Sequence, residues 1–86
     1  MELTIEQKYA MHTLADKKCN VSLILSGRGV VDFRETTVSV VNDLIFLDNG
    51  SFNIGMAEAF SMGFGTESIC IEFKFEGFYL QIRASL

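Results

Sequence analysis

"FNIGMAEAFSMGF", Phe52 to Phe64, decides how this chain folds, because its apolar residues can be read at two periods. The even positions are Phe, Ile, Met, Glu, Phe, Met, Phe, and the odd ones Asn, Gly, Ala, Ala, Ser, Gly. Only Glu58 interrupts the large apolar side chains of the even set. A helix, turning about 100° per residue, would carry Met62 off the face shared by Met56 and Phe60, so the period of two is the better fit. The stretch is predicted as a strand, or as two strands broken by a bend near Glu58. Such a bend would rotate Glu58 into water; without one, the acid faces an apolar surface. The small odd-numbered side chains would let another layer approach closely.

The alternation continues on both sides. In "SICIEFKFEGFYLQIRAS", Ser68 to Ser85, a turn at Glu76-Gly77 pairs Phe75 with Phe78, Phe73 with Leu80, Ile71 with Ile82 and Ile69 with Ala84. The opposite face then pairs Cys70 with Arg83, Glu72 with Gln81 and Lys74 with Tyr79. A four-residue turn from Gly65 to Ser68 sets Phe64 against Ile69, Met62 against Ile71 and Phe60 against Phe73.

Upstream, Asn42-Asp43 and Asn49-Gly50 carry hairpin turn chemistry. They predict Val40 opposite Ile45, Val38 opposite Leu47, Leu47 opposite Phe52 and Ile45 opposite Ile54. The other face of this ribbon exposes Val41, Leu44 and Phe46 beside Ser39, Ser51 and Asn53. Earlier still, a turn over Gly27, Arg28 and Gly29 pairs Leu25 with Val31 and Leu23 with Phe33. "SGRG" lacks the spacing of a dinucleotide fingerprint or a P-loop, so a tight turn is the simpler reading.

The amino-terminal segment has a different period. Thr4 and Gln7 form a capping box, and "IEQKYAMHTLADKKC" contains neither glycine nor proline. A helix reaching Cys19 is expected, with Leu3, Ala10, Met11, Leu14 and Ala15 on its apolar face and Ile5 and Tyr9 outside it. Lys17 and Lys18 would offset the negative end of its macrodipole.

The expected fold is α+β: residues 1–19 helical, then a strongly curved antiparallel meander of six to eight strands over 20–86, all in one domain. A small closed barrel with the same helix is the alternative. At 86 residues the chain hides about 60–65% of the surface its unfolded form exposes, so the core must be economical.

Composition narrows function. A net charge of −4 disfavours a nucleic-acid partner, which gains affinity from lysines and arginines displacing counterions. The longest run of large apolar residues, Leu44 to Leu47, is far short of the ~20 needed for a spanning helix, so no membrane partner is expected. The start of the chain lacks the basic and apolar regions of a secretory signal, and a cytoplasmic location is expected. Cys19, Cys70 and the lone His12 are too few ligands for a structural zinc, and no cofactor is expected. His12 and Cys19 lie seven positions apart, about 10 Å along a helix, too far for a nucleophile and its base.

Two non-enzymatic roles remain. An interaction module, joining another copy or another protein, would use Val41, Leu44 and Phe46 or the flat surface of Ala57, Ala59 and Gly63. A binder of a small apolar ligand would enclose it among Glu58, Phe60, Met62, Phe64, Phe73 and Phe75.

Overall fold

The computed structural model of the chain describes residues 3–15, 17–48 and 50–85. Within them lie helix α1 (Ile5–Leu14) and strands β1 (Lys18–Leu25), β2 (Gly29–Thr37), β3 (Ser39–Val41) and β4 (Leu44–Leu47). They are followed by β5 (Gly50–Asn53), a 3-10 turn (Ile54–Met56), β6 (Ala59–Phe64), β7 (Ser68–Phe75) and β8 (Phe78–Ser85). The fold is α+β, with eight strands among the described residues. They form two antiparallel sheets: five strands in the order β2-β1-β8-β7-β6, and three in the order β3-β4-β5. No closed barrel forms, because β2 and β6 remain as separate ends of the larger sheet.

The capping box starts α1 as its sequence dictates. Gln7 N donates to Thr4 Oγ1 at 3.2 Å, and Thr4 N donates to Gln7 Oε1 at 2.9 Å. Ala10, Met11 and Leu14 are buried, Leu3 packs beside them, and Ile5 and Tyr9 face solvent. The helix stops five residues short of Cys19, at Leu14, where Ala15 turns to extended backbone. Lys18 and Cys19 belong instead to β1. Tertiary pairing overrides helix propensity here: Cys19 is buried against the core, and its thiol lies 3.5 Å from the Lys17 carbonyl. Lys18 therefore serves no helix terminus.

One core lies between the sheets and the helix. The larger sheet contributes Val21, Ile69, Ile71, Phe73, Leu80 and Ile82; the rest comes from Val38, Ile45 and Ile54 and from the helix. Fully burying one such side chain contributes about 1.5–3 kcal/mol. Phe75 and Phe78 stack with centroids 4.9 Å apart, and Phe52 closes over them from the smaller sheet at 5.9–6.1 Å.

Every pairing predicted for β6–β7 and β7–β8 is present. Gly77 turns the second hairpin at φ +87°, a conformation costly for a residue with a Cβ. Elsewhere registers differ. The β1–β2 loop is Ser26–Arg28, one residue earlier than expected, so Leu23 pairs with Val31 and Val21 with Phe33. In β4–β5, Leu47 pairs with Gly50 and Ile45 with Phe52, which leaves Ile54 beyond the strand. Asn49, half of the predicted turn, lies outside the described residues. Both slips equal two residues, so each side chain keeps its face.

Two larger features go beyond the expected pairings. The antiparallel meander is divided between two sheets, and its last strand, β8, also pairs with β1, Val21 against Ile82 and Leu23 against Leu80. The period of two also breaks at Ile54–Met56. Asn53 Oδ1 accepts Gly55 N at 2.9 Å, and a Cβ on Gly55 would meet that oxygen at 3.0 Å, so this cap fits glycine closely. The turn buries Ile54 and Ala57 and leaves Met56 in solvent.

Candidate functional site

Strand β6 is an end strand of the five-stranded sheet, paired to β7 on one side only. Glu58 N donates to the Lys74 carbonyl at 2.7 Å just before it, and Gly65 N to the Ser68 carbonyl at 2.8 Å just after it. Between these anchors "AFSMGF" contains no charge and no proline. Its even side chains continue the core face, where Phe60 meets Phe73 edge to face at 4.9 Å. The core thins out along the strand: Met62 is 36% exposed and Phe64 62%. The opposite face of β6 presents only Ala59, Ser61 and Gly63, all exposed. A flat, apolar strand end with unpaired backbone groups is a template for another strand.

The predicted interaction residues divide accordingly. Ala59 and Gly63 lie on β6, whereas Ala57 is buried by the 3-10 turn and leaves that surface. Val41, Leu44 and Phe46 share the outer face of the smaller sheet, with Val41 beside Leu44 across the β3–β4 hairpin, and all three are exposed. These are two separate surfaces, one on each sheet.

The predicted ligand residues also separate. Phe73 and Phe75 are buried, with ring centroids 6.3 Å apart, and Phe60 packs on the first of them. Met62 and Phe64 lie out on the open end. Glu58 sits in a bend with its carboxylate 3.9 Å from Lys74 Nζ, both side chains about half exposed. An apolar cleft does open elsewhere, between Leu23, Phe33, Leu47 and Phe52, but its volume of about 100 Å3 falls below the ~300 Å3 at which small-molecule sites begin.

Part of the outer face of the larger sheet is polar, and its cross-strand rows follow from the registers. One row runs Asn20, Arg83, Cys70, Gly63; the next runs Asp32, Ser22, Gln81, Glu72, Ser61. Gln81 Nε2 donates to Glu72 Oε2 at 2.7 Å, and Ser22 Oγ donates to Asp32 Oδ1 at 2.5 Å. Both cysteines are free thiols. Burial pushes the Cys70 thiol above its ordinary pKa, against the opposing charge of Arg83, and Cys19 is raised by burial against that of Lys17. Neither is poised as a thiolate nucleophile. His12 is exposed on α1. The pairs Cys70–Arg83 and Glu72–Gln81 are those expected from the alternation; the extension of the rows through Asn20, Ser22 and Asp32 was not legible, because it needs β1 beside β8, and the alternation of Asn20 and Ser22 with Val21 was the available signal.

No protein-family model matches the chain, and no curated protein or solved structure matches it significantly. Among the described residues, no helix is long and apolar enough to cross a membrane.

Proposed function

We propose that this chain is a non-enzymatic interaction module that pairs with a second copy of itself along β6. The observation that carries this reading is the symmetry of the open strand. Phe60 and Phe64 stand two places either side of Met62, and Ser61 and Gly63 one place either side. An antiparallel copy centred on Met62 would set Phe60 against the partner's Phe64, Met62 against the partner's Met62 and Ser61 against the partner's Gly63. A two-fold interface requires such self-complementarity, and here no like charges would meet. Cross-strand side chains of this kind come within about 4.5–5.5 Å, enough to cover the exposed Met62 and Phe64. The two five-stranded sheets would become one continuous sheet.

The outer patch of Val41, Leu44 and Phe46 is the competing surface, but it has neither an open β6 edge nor that symmetry. Light scattering across a concentration series separates the two. Met62→Lys would bring two ammonium groups together at the dyad and weaken self-association by about 100-fold or more. Phe46→Asp should leave the mass unchanged. A monomeric wild-type chain, or an oligomer lost with Phe46→Asp and retained with Met62→Lys, would refute the β6 reading.

A further inference from the structure

A second feature, independent of the β6 edge, lies where β1, β2 and β8 meet on the outer face of the larger sheet. An open groove of about 440 Å3 is lined there by Lys18, Arg34 and Arg83, with the hydroxyls of Ser68 and Ser85 along its wall. Among the described residues one acid, Asp32, shares it. That carboxylate is already engaged: it accepts Ser22 Oγ at 2.5 Å, and Ser22 Oγ accepts Arg83 Nη2 at 3.3 Å. Among the described residues the ion pair joins Lys74 to Glu58, so Lys18 and Arg34 have no carboxylate partner. Three cations against one acid leave two excess positive charges in a single groove of a chain whose net charge is −4.

We propose that this groove binds a small molecule bearing a phosphate monoester. The charge matches, because such a group carries about −1.5 to −2 at neutral pH. The shape of the donor set matches as well. The cations project from three different strands, and arginine forks engage phosphate oxygens in pairs, so a tetrahedral group is met from several sides. A flat carboxylate would use fewer of these donors. The volume lies within the range of small-molecule sites, about 300–1,000 Å3, and leaves room for the organic portion. A nucleic-acid strand is a poorer match, since one confined groove of excess charge offers no track for a chain of phosphates.

The test is titration of the isotopically labelled full chain with phenyl phosphate at constant ionic strength, followed by amide chemical shifts. Saturable shifts are expected around Lys18, Arg34 and Arg83. Arg34→Ala and Lys18→Ala, both at exposed positions, should each weaken binding about tenfold, the worth of one charge-assisted hydrogen bond. Lys74→Ala, on the same face but outside the groove, should bind as the wild type does. Absence of saturation, an equal loss in Lys74→Ala, or succinate binding as tightly as phenyl phosphate would overturn the assignment.

Discussion

Strands β2 and β6 occupy the two ends of the same sheet, yet they are built in opposite ways. Strand β2 carries Asp32, Arg34 and Glu35 within its span, and its register against β1 slides between Cys19 and Val21. The slide is a bulge in which Glu35 takes φ +53°, a conformation uncommon for a residue with a Cβ, while Asn20 Oδ1 accepts its amide at 3.4 Å. Charge and bulge together spoil that end as a template for another strand, even though Val30 and Val31 are exposed on it. Strand β6 has no such protection. One edge is blunted and the other is left uncharged and apolar, and this difference is the reason the interface is proposed at β6.

Three variants probe that contrast. The largest effect is expected from Phe73→Ala, which removes the ring beneath Phe60 and should cost about 3–5 kcal/mol in denaturant unfolding. Since a domain of this size is worth about 4–13 kcal/mol, the variant should lose a large share of its stability, and β6 should open more readily with it. A loss below about 1 kcal/mol would mean that β6 is held by something other than this ring pair. A smaller effect is expected at the protected end. Asn20→Ala removes the side chain that caps the bulge and should cost about 0.5–1.5 kcal/mol, with hydrogen exchange rising around Glu35 and unchanged in β6. Smallest of all is Glu58→Gln. Its ion pair with Lys74 is long and half exposed, so thermal unfolding should move by no more than about 0.5 kcal/mol. A large loss there would show that the start of β6 depends on charge, contrary to its reading as an apolar edge.

The two edges also show where the sequence was legible. Around β6, β7 and β8, alternation and turn chemistry agree, and the registers predicted from Phe60 to Ala84 are those observed. At the β1–β2 loop several residues could turn the chain. Shifting the loop by one residue moved the register by two, so the face composition survived while the partners changed. The end of α1 was illegible for another reason. No glycine or proline lies between Leu14 and Gly27, and the helix yields to a pairing of β1 with residues some 60 positions away, which no local signal records. The buried state of Ala57 likewise depends on the Asn53 cap at Gly55, two residues of side-chain geometry rather than a period. Of the candidate site, the apolar content of β6 was readable from its alternation; its place at the end of the sheet was not, because that depends on the break at Ile54–Met56, which leaves β5 to the smaller sheet.

Pairing of the open side of β6 with another copy would be visible in amide hydrogen exchange measured at low and high protein concentration. Ser61, Met62 and Gly63 should become more protected as concentration rises, while Val30, Val31 and Asp32 of β2 keep the same rates at every concentration. Exchange in β6 that is independent of concentration, or protection that grows equally at both ends of the sheet, would contradict it.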